Sequence, residues 1–416
     1  MYDFAFDKKS LHETILAKDF IDVPGLLDPL VLDATLLQAM AISRLGFPNL
    51  NLKNSVVRGK RLYQFANIHD ELVIRKLGKN IRRLTRVKQS DRDTIIRSIK
   101  TLLEEGHAFR VYRLDVKSFY ESISRDEIAL AFQRDAGFPP ASAVIWSSFS
   151  GQLGLQNITG MPRGLAISAV IAEYLMRDFD SRVRRMKGVY YYARYVDDIF
   201  ILTTATEAQD TFHGSLKTHL PAGLSFNYVK TKVLTFDLPV VAAATPFAPE
   251  HTFDFLGYQF AVSPPTKKAA GGWARTVRLD ISKAKVKKIK SRLVWSLRKH
   301  VEDGNFSDYI DRVKVLTGNY NIYDRHTGHR RNVGVYFNYS MIDHITSSSL
   351  PELDKFWQSL ALSDAGNLPG AVPVTLSQDQ KNSLLSRSFQ KSFLSRKFYY
   401  FKPVRLAELT ECWAYA

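Results

Sequence analysis

Runs of aromatic and β-branched residues predict strands in the middle of the chain. The run Val189–Tyr192 and the run Ile199–Thr203 are of this kind, and such residues favour strands. Between them lies the sequence YVDD at residues 195–198. We therefore predict a tight hairpin that carries two adjacent carboxylates, Asp197 and Asp198, at its tip.

Apolar residues at spacings of three and four predict helices on both sides of that hairpin. The spacing occurs in residues 90–105, 165–176 and 283–299, and it is typical of a helix with one buried face. The last of these segments carries eight Lys or Arg and no acid. Residues 1–57 are expected to form short helices.

A second strand is predicted to end at a carboxylate. Residues 111–116 have strand character, and Asp115 lies near their end. Oxygen-binding ions such as Mg²⁺ need carboxylates that converge from separate strands. Asp115, Asp197 and Asp198 together can hold two Mg²⁺ ions, with Mn²⁺ as a substitute, in the arrangement used for nucleotidyl transfer. The alternatives are a solvated turn for the Asp pair and a helix cap for Asp115.

The charge of the chain indicates a polyanionic partner. Lys and Arg exceed Asp and Glu by 17, and the sequence pI is about 9.7, so nucleic acid is the leading partner class. The single cysteine, Cys412, excludes an intramolecular disulfide framework and fits a reducing cytoplasm. No signal-peptide pattern or apolar run of about 18 residues occurs. We expect a cytoplasmic protein without a membrane span.

Two further segments carry candidate binding groups. Residues 75–88 contain seven Lys or Arg and no acid, and Gly78-Lys79-Asn80 in their middle predicts a β-hairpin turn. Basic side chains on such a hairpin could grip a triphosphate or a template backbone; a solvated basic face is the alternative. The glycines and proline of GMPRG at 160–164 predict a tight loop that lets the backbone approach a nucleotide closely.

Taken in order, these motifs resemble those of reverse transcriptases. The likeness covers about residues 60–260 and rests on LDVKSFYESI at 114–123, GMPRGLAIS at 160–168, YVDD at 195–198, FNYVKT at 226–231 and FLGYQF at 255–260. It implies an α+β fold of the right-hand polymerase type. Fingers and a palm with a small antiparallel sheet would be followed by a helical thumb and a C-terminal extension.

The resemblance also implies a role for each matching residue. Asp115, Asp197 and Asp198 would be catalytic and bind the metals, with help from the Val116 carbonyl. Tyr120 would lie under the sugar and exclude a ribose 2′-hydroxyl, the alternative being ordinary core packing. The nucleotide would contact Arg75, Lys76, Arg82, Gly160, Pro162, Arg163, Gly164 and Lys230. Primer and template would contact Phe255, Leu256, Gly257, Tyr258, Lys287, Lys288 and Arg292.

One departure from the family pattern indicates a divergent bacterial branch. The family usually has Gln before the second glycine of the loop, and here Arg163 stands there. Template and nucleotide positioning at this loop is therefore open. The predicted segments are 1–57 (N-terminal helices), 58–262 (fingers and palm) and 263–416 (thumb and an RNA-binding extension). Aromatic and basic residues interleave from Leu384 to Tyr400, a mixture that suits stacking on RNA and equally a packed helix.

The function implied is RNA-directed DNA synthesis from dNTPs on an RNA template. The divergence suggests the bacterial antiphage type, which works with a non-coding RNA, and the stretch 316–340 resembles one subunit of a type-three defence pair. A second reverse transcriptase or a homo-oligomer would then be a partner. The alternatives are a retron or group II intron enzyme, a template-independent DNA polymerase of the same fold, and a non-catalytic RNA-binding scaffold.

Overall fold

The computed structural model describes residues 3–57, 59–135, 137–238, 247–269, 271–323, 330–362 and 376–414. The helices are α1 (Lys8–His12), α2 (Asp19–Asp22), α3 (Pro29–Leu45), α4 (Ile68–Thr85), α5 (Arg92–Leu103), α6 (Phe119–Ser122), α7 (Arg125–Arg134), α8 (Pro140–Leu155), α9 (Ala166–Arg184), α10 (Gln209–His219), α11 (Lys283–Asp303), α12 (Phe306–Thr317), α13 (Val335–Asn338), α14 (Ser349–Leu362), α15 (Gln378–Leu385), α16 (Phe389–Leu394) and α17 (Pro403–Glu411). A short 3₁₀ helix spans Pro24–Leu27.

The strands pair only with antiparallel neighbours in the described sheets. They are β1 (Leu52–Val57), β2 (Lys60–Phe65), β3 (Phe109–Asp115), β4 (Val189–Tyr195), β5 (Asp198–Thr203), β6 (Lys232–Phe236), β7 (His251–Phe255), β8 (Tyr258–Val262), β9 (Thr266–Lys267), β10 (Trp273–Ala274), β11 (Val277–Ile281), β12 (Asn319–Tyr323) and β13 (Arg330–Gly334). Helices together with antiparallel sheets confirm the predicted α+β class.

The chain divides into two compact units that interleave in sequence. Unit 1 comprises Met1–Ile95 and Ala108–Asp237, and unit 2 comprises Ile96–His107 and Leu238–Ala416. These two units have different boundaries from the three predicted segments. The segments were assigned by function, and they remain a prediction. Part of the predicted insert at 316–340 lies outside the described residues.

Unit 1 is built on a four-stranded sheet with the order β4-β5-β3-β6. The five residues Ile199–Thr203 of β5 are all buried, as expected for a central strand covered on both faces. The core beside the sheet joins Tyr112 of β3 to Trp146 and Phe149 of α8 and Phe179 of α9. The sheet therefore presents the ends of β3 and β5 from a rigid base.

Two elements of unit 1 differ from the sequence predictions. Residues 52–57 form a strand, β1, that pairs with β2, so the segment 1–57 is not wholly helical. The hairpin predicted at Gly78-Lys79-Asn80 is wrong, because α4 continues through it. Leu77 and Ile81 are fully buried, and a Cβ on Gly78 would lie 3.5 Å from Ile167 of α9. Close helix packing, and not a turn, explains this glycine.

Unit 2 contains the three-stranded sheet β11-β8-β7 and two short hairpins, β9–β10 and β12–β13. The predicted basic helix is present as α11, which buries Val286, Leu293 and Leu297 and contacts α12 and α14. Tyr309 and Trp357 are fully buried in this unit. No helix among the described residues is long and apolar enough to cross a membrane.

Candidate active site

Strand pairing in unit 1 brings the three predicted carboxylates to one place. Asp115 ends β3 and lies opposite Asp198, the first residue of β5. Asp197 belongs to the turn before β5, and its carbonyl accepts a hydrogen bond from the Val116 N–H at 3.1 Å. The predicted hairpin is present, and the antiparallel register delivers all three Asp to the same end of the sheet.

The turn of this hairpin is strained. Val196 has a φ of +59°, which is rare for a β-branched residue and is typical of functional sites where the surroundings hold the strain in place. The Arg194 side chain donates to the Val196 carbonyl at 3.1 Å. A buried guanidinium therefore holds the turn that carries the Asp pair.

Arg194 is itself fixed by helix α9. Its guanidinium lies 2.7 Å from Glu173 and 2.8 Å from Asp180, and the residue is only 5% exposed. These hydrogen bonds and charges raise the pKa of Arg194 against the effect of its burial. Arg194 was not predicted from the sequence. The signal that could have revealed it is a single Arg inside the otherwise apolar and aromatic strand YYYARY.

Negative charge is concentrated at the ends of β3 and β5. Burial, followed by the neighbouring Asp197 carboxylate, raises the pKa of Asp198 to about 6. Burial also raises the pKa of Asp197, and Asp115 adds to the shift. Lys230 lies 2.9 Å from the Asp115 carboxylate. Because raised carboxylate pKa values report poorly compensated negative charge, a cation bound here would be stabilised.

The donor set fits a divalent ion in its chemistry. Among the described residues, no group of three His, Cys, Asp or Glu side chains forms a ready-made metal cage. Mg²⁺ seldom uses such a cage, since one or two carboxylates usually share it with substrate phosphates and water. Asp115, Asp197 and Asp198 therefore fit an ion whose coordination the substrate completes.

The predicted nucleotide loop is fastened to the residues that follow Asp115. The Met161 N–H donates to the Tyr120 carbonyl at 2.8 Å. Gly160 has a φ of +62°, and a Cβ on it would lie 2.4 Å from that same carbonyl oxygen. Only glycine fits there. The Pro162 carbonyl accepts a hydrogen bond from Ser168, which turns the chain into α9.

Arg163 holds the side chain of the predicted sugar-contacting residue. Its guanidinium lies 5.1 Å from the ring centroid of Tyr120 and donates to Glu121 at 2.8 Å. Tyr120 is half-buried, and its pKa is raised, first by burial. The departure from the family pattern at 163 therefore places a paired cation over the ring, where a Gln could make no such pair.

The β1–β2 hairpin lies against the other side of the loop. The Tyr63 N–H of β2 donates to the Arg163 carbonyl at 2.7 Å, and a Cβ on Gly164 would lie 2.6 Å from the Tyr63 carbonyl. Lys53, Lys60 and Arg61 on this hairpin are exposed. This hairpin was not predicted from the sequence, although Arg58-Gly59 between two alternating runs is a hairpin signal.

Two of the basic residues on α4 have partners in the N-terminal segment. Arg75 pairs with Asp19 at 2.6 Å and with Glu71 at 2.5 Å, and Lys76 is buried and donates to the Asp3 carbonyl at 2.6 Å. Both side chains fasten the N-terminal segment, and their contact with a triphosphate stays a prediction. Arg82 is exposed on the same helix.

The predicted primer and template residues lie in unit 2. Leu256 and Gly257 form the turn of the β7–β8 hairpin, with φ of +45° and +86°. Phe255 and Tyr258 are buried, so the turn is the part of this hairpin that can contact a ligand.

On α11, the three predicted cations differ in exposure. Lys287 is exposed and Lys288 is half-buried. Arg292 is also half-buried, with its guanidinium 5.2 Å from the Trp413 ring. It therefore has a packing role that the sequence did not reveal.

Carboxylates that meet at adjacent strand ends are able to hold the metal ions that nucleotidyl transfer uses. Residues 56–260 match a family model described as reverse transcriptase (RNA-dependent DNA polymerase). The chain is therefore similar to reverse transcriptases over just under half of its length. Domains of this kind generally use divalent metal ions.

Other comparisons add little to this assignment. No curated protein matches the sequence. Among solved structures, the chain is similar to one entitled "Structure of apo telomerase from Candida Tropicalis truncated from C-terminal domain", with 11% identity and a TM-score of 0.34. The match covers 52% of this chain and 53% of that one, so the chain spans about half the length of that relative.

Proposed function

We propose that the protein copies RNA into DNA, adding dNTPs to a primer 3′-hydroxyl. The observation that carries the proposal is the register of β3 and β5, which places Asp115 opposite Asp198 and beside Asp197. It lies inside the segment that matches the reverse transcriptase family. In the reaction, the 3′-oxygen forms a bond to the α-phosphorus, the bond to pyrophosphate breaks, and the hydroxyl proton is released.

Asp115, Asp197 and Asp198 would hold the divalent ions, for which we propose Mg²⁺ with Mn²⁺ as a substitute. Such ions lower the pKa of an attacking hydroxyl and stabilise the leaving oxygen. Lys230 now pairs with Asp115. With divalent ions held by that carboxylate, the Lys230 ammonium would be free to donate to the departing pyrophosphate.

The groups around the carboxylates orient the nucleotide. Tyr120 supplies a ring that excludes a 2′-hydroxyl, and Arg163 keeps this ring in place through contact and charge. Lys60 and Arg61 on β2 are exposed on the element that fastens the loop. We propose these two, in place of Arg75 and Lys76, as the cations that contact the triphosphate.

We propose further that the enzyme serves bacterial antiphage defence in the cytoplasm with a non-coding RNA template. The support is its divergence: Arg163 in the loop, and a C-terminal region beyond the matched segment. A second reverse transcriptase or another copy of the chain would be its partner. Phe255–Tyr258 and α11 are the proposed contacts for primer and template.

The direct test is primer extension by the purified protein with RNA template, DNA primer, dNTPs and Mg²⁺. Synthesis that depends on the template sequence supports the proposal. DNA synthesis without any template would instead show a template-independent polymerase, and absence of incorporation from every template would overturn the enzymatic function. Sequencing the nucleic acid that co-purifies would identify the template, and a branched RNA–DNA hybrid there would indicate a retron enzyme.

A further inference from the structure

An open cavity lies in the C-terminal part of unit 2, outside the segment that matches the reverse transcriptase family. Its volume is ≈ 460 Å³, and three consecutive aromatic residues, Tyr399, Tyr400 and Phe401, form one side. Lys314, Lys402 and Arg405 also line it. Aromatic rings beside cations are the combination that proteins use to hold unpaired nucleotides.

The aromatic segment has a fixed backbone. The Asn319 N–H donates to the Lys397 carbonyl at 2.9 Å, and the Tyr399 N–H donates to the Asn319 carbonyl at 2.7 Å. Residues 397–399 thus form an isolated parallel bridge with Asn319 of β12. Successive side chains of an extended segment point to opposite faces, so this anchoring decides which rings are packed and which are presented.

Two of the three rings are packed against neighbours. A Cβ on Gly318 would lie 2.4 Å from the Tyr399 ring, and Arg387 donates to the Tyr399 hydroxyl at 3.0 Å. The Phe401 ring lies edge-on to Tyr320 with centroids 6.3 Å apart. Both rings are therefore preorganised walls of the cavity.

Tyr400 is the presented ring. It is 85% exposed, and its described ring contact is with Phe398, at 5.0 Å between centroids. A base can stack on such a ring whatever its sequence, because every base has a π face. Phe389 and Phe393 in the same stretch of chain are buried, so the interleaved pattern divides into packed rings and one presented ring.

The charge around this ring suits a phosphate backbone. From Arg387 to Arg405 the chain carries six Lys or Arg and no acid. Arg405 and Lys314 are balanced by two carboxylates, since Arg405 lies 2.6 Å from Asp308 and Lys314 lies 2.8 Å from Asp311. Arg396, Lys397 and Lys402 are exposed, and Lys402 also lines the cavity, so unbalanced positive charge is presented in the residues on both sides of Tyr400.

We propose that this surface binds single-stranded nucleic acid. One unpaired base stacks on Tyr400 at the mouth of the cavity, and its flanking phosphates lie along Arg396, Lys397 and Lys402. The site is separate from the residues of the polymerase reaction, and it does not depend on the proposed function. In an enzyme that copies RNA, it would hold an unpaired stretch of strand.

The test uses the full chain with its template–primer site first saturated by a short blunt duplex. Binding of a labelled 12-nucleotide single strand, as RNA in one arm and DNA in the other, is then measured by fluorescence anisotropy. Tyr400→Ala should weaken binding about tenfold, the range found for one stacked base. Lys402→Gln should weaken it less and lower the salt dependence.

The matched control is Val404→Ala, an exposed apolar residue (71%) on the neighbouring helix α17, which should leave single-strand binding unchanged. A loss in the RNA arm alone would assign the site to RNA, and equal losses would assign it to either strand. Unchanged binding in both arms of Tyr400→Ala would overturn the proposal, as would a loss equal to that in Val404→Ala. Primer extension by Tyr400→Ala, measured in parallel, should match wild type, so a failure of the polymerase proposal shows separately.

Discussion

Two sets of cations, one in each unit, are used in opposite ways. In unit 1, Arg194 is buried between Glu173 and Asp180, and Arg110 pairs with Glu207 at 2.8 Å. In unit 2, cations lie on the exposed side of α11 and along residues 396–402. The set in unit 1 fixes internal geometry, and the set in unit 2 is presented to solvent.

Substitutions of the buried and of the exposed cations should therefore have different effects. Removing one partner of a buried pair leaves an uncompensated charge, which is strongly destabilising. Neutralising an exposed cation changes the affinity for a polyanion, and the effect weakens with salt. Changes at these buried pairs of unit 1 should therefore alter rate and stability, and changes at these exposed cations of unit 2 should alter affinity.

The largest effect should come from the carboxylates of unit 1. Asp197→Asn with Asp198→Asn should abolish dNTP incorporation in a primer-extension assay. Because Asp198 has a folded-state pKa raised to about 6, its charge opposes folding above that pH, and the neutral Asn should leave the metal-free Tm equal to or above wild type. Incorporation with Mg²⁺ by this double variant would contradict the metal assignment.

The next effect tests the buried cation. Arg194→Gln should lower the free energy of unfolding by roughly 3–5 kcal/mol and slow incorporation, because the Val196 turn loses its support. Denaturant unfolding and single-turnover rates measure the two consequences. Arg177→Gln is the matched control, since its pair with Asp135 is 3.2 Å long and its side chain is 38% exposed. Equal losses in both variants would remove the special role of Arg194.

A smaller effect should appear in sugar selection. Tyr120→Ala should raise the use of ribonucleotides relative to dNTPs by about tenfold, roughly 1.4 kcal/mol in transition-state free energy. Arg163→Gln should change the ratio in the same direction but less, since the ring stays while its paired cation is lost. If wild type already prefers ribonucleotides, the assignment of Tyr120 is wrong.

The smallest effect belongs to unit 2. Lys287→Gln with Lys288→Gln should weaken template–primer binding and reduce the magnitude of the slope of log affinity against log salt by about two, near 0.9 per phosphate. Arg292 is left in place because it packs on Trp413.

The matched control for this pair is Lys290→Gln. Lys290 is paired with Glu352 at 2.6 Å, so its change should matter less. An unchanged salt slope in the double variant would make α11 a solvated face or a protein contact.

The sequence predicted where the carboxylates lie but not which partners the basic residues have. Asp115, Asp197 and Asp198 lie beside runs of residues that predict strands, and the order of the motifs identifies them. Antiparallel pairing of these strands then brings the three carboxylates together. The role of Arg75 depends on Asp19, which lies 56 positions away, and no local pattern shows such a partner.

The turn predicted at Gly78 was wrong for a related reason. A glycine between polar residues is a turn signal, but packing of α4 against α9 overrides it, as tertiary contact often overrides local preference. The exposure of Tyr400 and the burial of Phe389 and Phe393 could not be predicted from the sequence either, because all three are aromatic residues of the same segment.

The interleaving of the two units has a consequence for synthesis on the ribosome. Ile96, Ile99 and Leu103 are fully buried and belong to unit 2, whose remaining residues begin at Leu238. The Glu104 carbonyl accepts its hydrogen bond from Arg275, which is made much later. A nascent chain must therefore carry this apolar helix face uncovered while all of residues 108–237 emerge. Exposed apolar surface of this kind recruits chaperones and promotes aggregation, so chains truncated near residue 237 should be chaperone clients even when unit 1 is complete.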